Sequence, residues 1–223
     1  MTVRVVTLST TYGSGGSIIG PRLADRLGLP FADRLILPAG ATAGAAGAWQ
    51  DGGATPGGER ITEEERVRSA RRSLLARLAH LTGGMGMPVP GADDLSANPV
   101  REQVEASIAS LVEQGGAVIL GRAGAVVLAH EPRAFHVRLD GPARRRLPRA
   151  MKIEGVDEAT ARARMAETDR ARAVYVERLY GRQATDPDLY HLMLDSTVLR
   201  VADSVELLAA AATAFWEGSP PAR

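Results

Sequence analysis

Residues 11–20 read TYGSGGSIIG and closely follow VRVVTL, residues 3–8. The earlier segment is short, apolar and rich in β-branched residues, which is typical of a strand buried on both faces of a parallel sheet. Gly13, Gly15 and Gly16 then predict a tight loop, and apolar residues recur at helical spacing after it. A strand, a glycine loop and a helix in this order direct backbone N–H groups toward a bound phosphate at the positive helix end. An ordinary tight turn of an α/β protein is the alternative.

The loop lacks the lysine that phosphate-binding loops usually carry. In the usual pattern, G-x-x-x-x-G-K-[ST], the lysine reaches the transferred phosphate and the hydroxyl holds magnesium. Counting Gly15 and Gly20 as the two glycines places Pro21 and Arg22 at those two positions. We instead place Pro21 in the first turn of the helix, where its missing N–H costs nothing. Backbone amides, together with cations from elsewhere in the chain, would have to hold any phosphate.

The composition excludes several broad classes of protein. A formal net charge of +1 argues against a nucleic-acid-binding or membrane-surface protein, since both usually carry a large basic excess. The chain has no cysteine, and its four histidines are not spaced like metal ligands. Lys152 is the only lysine among 27 basic residues, so a bound anion would meet guanidinium groups. No apolar run approaches the roughly 20 residues of a membrane span, and we predict a cytoplasmic protein.

The rest of the chain alternates between strand and helix patterns. Strands are expected at residues 3–8, 29–33, 117–120, 135–139 and 192–194. Together with the intervening helices, one of which Asp157 would cap, they predict an α/β fold with a doubly wound five-stranded parallel sheet. Residues 1–37 and 97–218 would form this core. Residues 38–96, rich in alanine and glycine with one helical stripe, would form a flexible and partly helical insertion.

Several charged residues are candidates for ligand contacts, because ligands of such sheets bind beyond the carboxyl ends of the strands. Arg122 follows the third strand directly, where it would contact a phosphate or form a surface salt bridge. Asp33 ends the second strand and would face the cleft or cap its own loop. Asp169 and Arg172 share one face of a helix, where they would pair with each other or hold a ligand together.

A run of arginines follows the fourth strand. Arg144, Arg145, Arg146 and Arg149 fall within two turns of a predicted helix. They would form a solvated basic face or belong to a lid that neutralises phosphate charge during transfer. We expect Arg144 and Arg145 to point into solvent.

Several short motifs now add up to a family resemblance. They are YGSGG at residues 12–16, IG at 19–20, LADRLGLPFAD at 23–33, GR at 121–122, DRAR at 169–172 and LDST at 194–197. Together they resemble the cytidylate kinase-like family, relatives of nucleoside monophosphate kinases that begin with a similar lysine-free glycine loop. The matching motifs span about residues 3–31 and 117–208, and residues 38–96 match poorly.

The resemblance implies a P-loop nucleoside monophosphate kinase fold in which the insertion is a helical acceptor-binding subdomain. It implies transfer of the ATP γ-phosphate to CMP, dCMP or a related small acceptor, with Mg²⁺ held mainly through phosphates and water. The donor phosphates would bind to Gly13, Ser14, Gly15, Gly16 and Ser17. Catalytic arginines would be Arg146 and Arg149, in a lid of about residues 142–182. The acceptor would contact Arg122, Asp169 and Arg172, with Asp33 added by its position at the sheet edge.

The chain also departs from the family pattern. Gly16 falls at the lysine position of cytidylate kinases and Ile18 at the position of the magnesium-binding hydroxyl, while Thr10 and Ser17 stand where lysine-free relatives usually have arginines. A catalytically silent nucleotide or phosphate sensor is therefore the alternative hypothesis, and an interaction module is a third. We expect small-molecule nucleotides as ligands, no nucleic acid, no membrane, and no metal site made of side chains.

Overall fold

The computed structural model describes residues 3–33 and 99–218, and the structural statements below concern that part of the chain. The elements, in chain order, are β1 (Val5–Thr10), α1 (Gly16–Leu27), β2 (Phe31–Asp33), α2 (Pro99–Glu113), β3 (Val118–Leu120), α3 (Gly124–Val127), β4 (Ala134–Asp140), α4 (Ala143–Glu154), α5 (Glu158–Tyr180), a 3-10 turn (Pro187–Leu189), β5 (Leu192–Asp195) and α6 (Val201–Gly218). The insertion predicted for residues 38–96 lies outside the described residues and stays a prediction.

The described strands form one five-stranded sheet in the order β2-β3-β1-β4-β5. All neighbouring strands are parallel, with Val6 opposite Val118 on one side of β1 and Val6 opposite Phe135 on the other. The predicted five-stranded parallel sheet is thus confirmed. Because β1 is central and all strands run the same way, the glycine loop after β1 leaves the middle of the carboxyl edge.

Helices cover both faces of the sheet, as a doubly wound fold requires. Alternate residues of each strand face opposite sides. One face packs against α1 and α6, burying side chains that include Val6, Leu8, Ile19, Leu23, Leu208 and Trp216. The other face packs against α2 and the segment around α3, burying side chains that include Val5, Ile119, Val104, Ile108 and Leu128. No described helix is long and apolar enough to span a membrane.

Helix α1 starts earlier than the sequence suggested. It begins at Gly16 and continues through Pro21, so the placement of Pro21 in its first turn is wrong. Proline has no N–H to donate, which leaves the carbonyl of Ser17 without its intrahelical partner. Ser17 is exposed at the start of the helix, where water can bind that carbonyl. The early start brings the helix N-terminus directly against the glycine loop.

Helix α5 begins where the sequence predicts and ends at a glycine. The Asp157 side chain accepts a hydrogen bond from the Thr160 backbone N–H at 2.7 Å, which confirms the predicted cap. Gly181 ends the helix in the left-handed conformation with φ of 62°. Helices α4 and α5 form a hairpin whose buried side chains include Leu147, Ala150, Ala161 and Met165, and the Tyr12 ring from the glycine loop packs among them.

A stacked pair of histidines joins β4 to the start of β5. The rings of His136 and His191 lie 5.0 Å apart and nearly parallel. His136 is 5% exposed, and its Nδ1 lies 2.8 Å from Thr7 Oγ1. Burial, aided by the neighbouring His191, lowers the pKa of His136 from 6.5 to about 4. The folded protein therefore favours the neutral ring.

This pair predicts a loss of stability in mild acid. Between pH 6.5 and pH 4 the unfolded chain protonates His136 and the folded chain does not, so the free energy of unfolding falls as the pH falls. The full difference is on the order of 3 kcal/mol. In urea titrations across this range, His136→Asn should flatten the pH dependence relative to wild type. The matched control is His130→Asn at an exposed position, and an equal slope in all three proteins would contradict the assignment.

Candidate active site

The glycine loop turns sharply between β1 and α1. Gly13 and Gly15 have φ of 77° and 85°, backbone conformations that residues other than glycine rarely adopt. The Ser14 side chain is buried, and both its hydroxyl and its backbone N–H donate to the Thr11 carbonyl oxygen, at 2.7 and 3.2 Å. The loop is thus held in a compact turn by its own hydrogen bonds.

The loop presents four amides that have no backbone acceptor among the described residues. Within residues 3–33 and 99–218, no backbone carbonyl accepts from the N–H groups of Gly13, Gly15, Gly16 or Ser17. The first N–H groups of a helix are unpaired by geometry and carry its partial positive charge. Such a loop suits an anion with several oxygens, as phosphate-binding loops do.

Position 16 is closed to any side chain. A Cβ atom on Gly16 would overlap the Cγ2 methyl of Thr10 at the end of β1. A lysine at this position would therefore need the Thr10 side chain or the end of β1 to move. The packing of the loop against β1 thus matches a glycine at position 16.

Arg149 brings a cation to the same place from α4. A Cβ atom on Gly15 would lie 2.6 Å from Arg149 Nη2, so the guanidinium rests on the loop at Gly15. Its Nη1 donates to the Ser196 carbonyl oxygen. Burial lowers the pKa of Arg149, but arginine stays protonated in proteins. Of the two arginines predicted to be catalytic, Arg149 lies against the loop amides.

Arg146, the second of these arginines, holds the loop backbone. Its Nη1 donates to the Tyr12 carbonyl oxygen at 2.8 Å and to Asp169 Oδ2 at 2.7 Å. Its Nε donates to the Gly141 carbonyl oxygen at 2.7 Å. The other Asp169 oxygen accepts from the Tyr12 N–H at 2.8 Å. We call this closed ring of bonds among Tyr12, Arg146 and Asp169 the Tyr12 clamp.

Asp169 and Arg172 share one face of α5, as their spacing predicts, but their hydrogen bonds go to different groups. Asp169 takes part in the Tyr12 clamp, and Arg172 Nη1 donates to the Thr10 carbonyl oxygen at 2.8 Å. Both contacts are to the backbone at the end of β1. The structure thus brings both residues beside the glycine loop, and the Arg172 side chain remains exposed.

The turn after β3 is unusual in its backbone. Gly121, Arg122 and Ala123 have φ of 77°, 58° and 53°, so two residues with side chains occupy the left-handed region in succession. Such conformations cost on the order of 1 kcal/mol or more each, and they cluster at functional sites. Arg122 lies close to Tyr175 on α5. Burial raises the pKa of Tyr175, and the nearby arginine offsets part of this rise. Asp33 ends β2 at the same sheet edge.

Arg145 does not point freely into solvent, so that expectation is wrong. Its Nη2 pairs with Asp195 at the end of β5, and its Nε donates to Thr197 Oγ1 at 3.0 Å. The hydrogen bond from Thr197 and the ion pair with Arg145 lower the pKa of Asp195. The Arg145–Asp195 pair forms because β5 lies beside β4. Residue spacing in the sequence does not reveal which strands are neighbours. Arg144 is exposed, as expected.

Three further residues of this region were missed by sequence reasoning. Arg138 is 4% exposed within β4, and its Nε and Nη2 donate to Asp140 Oδ2 at 3.1 and 2.9 Å. Ser196 is buried and donates to the Ser14 carbonyl oxygen at 2.6 Å, which ties the loop to β5. The third is Tyr12, whose ring anchors the loop in the α4–α5 hairpin. The sequence did carry a signal for the Arg138–Asp140 pair, because residues two apart in a strand share one face and these two carry opposite charges.

The described residues contain no group of three or more histidine, aspartate or glutamate side chains suited to a metal ion. The oxygens of Asp140 bond instead to Arg138, to the Thr11 hydroxyl and to the Gly141 N–H. The donors near the loop are therefore suited to phosphate oxygens.

Known proteins resemble this chain in sequence and in fold. A curated cytidylate kinase from Methanopyrus kandleri is 30% identical over 138 residues, which cover 57% of this chain and 68% of that protein. A curated uronate isomerase from Corynebacterium glutamicum is 30% identical over 118 residues, but the match covers only 23% of its length. The crystal structure of an uncharacterized protein from Eubacterium ventriosum superposes with a TM-score of 0.61 at 17% identity, covering 94% of this chain and 98% of that one. Residues 5–198, which include the whole sheet and the glycine loop, match the model of the cytidylate kinase-like family, and the chain belongs to that family.

Proposed function

We propose that this protein is a nucleoside monophosphate kinase that transfers the γ-phosphate of ATP to CMP, dCMP or a related small acceptor. The observation that carries the proposal is the Arg149 guanidinium resting on Gly15, beside loop amides that have no backbone acceptor among the described residues. Family membership and the cytidylate kinase relative support a kinase-like phosphotransferase and suggest the acceptor.

Phosphoryl transfer suits this set of residues because it needs positioning and positive charge more than a nucleophile from the protein. The donor phosphates would bind the amides from Gly13 to Ser17. As the bond between the γ-phosphorus and the β–γ bridging oxygen breaks, an acceptor phosphate oxygen forms the new bond. Arg149 would stabilise the charge that develops on the transferred group. It would thereby take the place of the lysine that position 16 cannot hold.

The donor would arrive as ATP with Mg²⁺. The amides at the start of α1 and the nearby Arg149 fit a triphosphate. Ser17 is exposed and offers a hydroxyl near the phosphates, while Ile18 offers no ligand. When bound, Mg²⁺ would neutralise phosphate charge, with phosphate oxygens and water as its main ligands.

The acceptor subsite would lie where β2 and β3 end, on the other side of β1 from β4. Arg122 would contact the acceptor phosphate, and its strained turn would hold that side chain at the sheet edge. Asp33 and the exposed part of Arg172 would complete the contacts. A site at this edge lies next to the glycine loop, as transfer between two bound phosphates requires.

A silent sensor is the second candidate function. The closed position 16 favours it, because a loop without its lysine can still bind phosphate through its amides. A sensor would bind nucleotide and would not turn it over.

The two functions are separated by binding and turnover measurements on the purified protein. We expect ATP with Mg²⁺ to raise the melting temperature, and a coupled assay to show ADP formation with CMP or dCMP in preference to UMP and AMP. Stabilisation without turnover of any acceptor would support the sensor. A melting temperature that no nucleotide raises would contradict both.

Arg149 is the residue whose removal should cost the most turnover. We expect Arg149→Met to lower kcat by about 100-fold or more, the usual effect of removing a group that stabilises transition-state charge. Arg144→Met is the matched control, because Arg144 is an exposed arginine of the same helix. Equal kcat values for the two variants, at unchanged melting temperatures, would rule out this role for Arg149.

A further inference from the structure

The Tyr12 clamp joins the two helices of the α4–α5 hairpin to a single residue of the glycine loop. Asp169 comes from α5 and accepts from the Tyr12 N–H, while Arg146 comes from α4 and donates to the Tyr12 carbonyl. We propose that Asp169 and Arg146 act as one positioning pair for the glycine loop, and that neither contacts the acceptor or the transferred phosphate. The inference rests on the proposed function, since it concerns how the same site is held in shape.

The clamp uses both carboxylate oxygens of Asp169 and two of the three guanidinium nitrogens of Arg146. Both Asp169 oxygens accept from the protein, one from Tyr12 and one from Arg146. Arg146 uses Nε and Nη1 on protein oxygens, and its side chain is only 11% exposed. A substrate contact at the Asp169 carboxylate, or at Nε or Nη1 of Arg146, would compete with these bonds. It would leave backbone groups of Tyr12 or Gly141 without a partner, which is costly for buried polar groups.

The geometry explains what the clamp would position. A Cβ atom on Gly13 would lie 2.5 Å from the Arg146 carbonyl oxygen, so the loop backbone packs directly on α4. Arg149 follows Arg146 by three residues and shares its helix face. Holding Tyr12 at Arg146 therefore sets the distance between the Arg149 guanidinium and the loop amides. The Tyr12 ring, buried among Leu147 and Met165, adds an apolar anchor to the same hairpin.

Arg172 provides the contrast within the same motif. It is exposed and bonds to the Thr10 carbonyl through Nη1. Its remaining donors leave it suited to an acceptor contact. The two residues of the D-x-x-R motif thus have separate tasks in this chain, with Asp169 serving the donor loop and Arg172 the acceptor.

Binding measurements on single variants test this division. We expect Asp169→Ala and Arg146→Met each to raise the Kd of a non-hydrolysable ATP analogue about tenfold or more, and to leave the Kd of CMP within about twofold of wild type. The double variant should bind the analogue no worse than either single variant, because the two residues act as a unit. Asp169→Asn, which keeps an oxygen for the Tyr12 N–H, should recover part of the affinity. Glu177→Ala removes an exposed carboxylate from the same helix and serves as the control.

The opposite pattern overturns the proposal. If Asp169→Ala weakens CMP binding and leaves the ATP analogue unaffected, Asp169 is an acceptor contact. In turnover assays the positioning role raises the KM for ATP, whereas an acceptor contact raises the KM for CMP.

Amide hydrogen exchange in the nucleotide-free protein separates this inference from the proposed function. Asp169→Ala should speed exchange of the Tyr12 amide about tenfold or more, and Glu177→Ala should not. Unchanged exchange at Tyr12 overturns the clamp even if the protein is an active kinase. Faster exchange supports the clamp even if wild type binds no nucleotide, an outcome that would overturn only the kinase and sensor functions.

Discussion

The backbone N–H and carbonyl of Tyr12 are both held by charged side chains, and the candidate site depends on that constraint. An anion from α5 accepts its N–H, a cation from α4 donates to its carbonyl, and the two charges pair with each other. Because the ring is closed, the loop cannot shift relative to the hairpin without breaking an ion pair and exposing unsatisfied backbone groups. The positions of the loop amides and of the Arg149 guanidinium are consequently fixed relative to each other.

The source of positive charge in this site differs from that of a lysine-bearing phosphate loop. There, the cation belongs to the loop itself and follows it in any movement. Here, Thr10 packs against position 16, and α4 supplies a cation to the loop at Arg149. A planar guanidinium also offers several fixed donors, which suits phosphate oxygens. A lysine within the loop and an arginine from a neighbouring helix both place a cation near the loop amides. Family membership alone does not distinguish these two arrangements.

Much of the fold could be predicted because its signals are local. Short apolar runs, apolar residues at helical spacing, glycines at loop positions and a capping aspartate each report on their own neighbours in the chain. The position of Pro21 was mispredicted because the start of α1 depends on Gly15 adopting a left-handed conformation in the loop, which no periodicity shows. The Arg145 side chain was expected to point into solvent because its partner, Asp195, lies on a strand 50 residues away in the chain.

The sequence by itself determined the strand, loop and helix order, the five-stranded sheet and the set of charged residues at its carboxyl edge, because these follow from residue type and spacing. Only the tertiary structure decided which charges meet. It placed Arg149 on the glycine loop, turned Arg146 and Asp169 toward the Tyr12 backbone, and buried Arg138 beside Asp140. Pairings of this kind depend on the order of strands and the packing of helices. Residues on one helix, such as Arg146 and Arg149, bond to different groups because different parts of the protein lie opposite them.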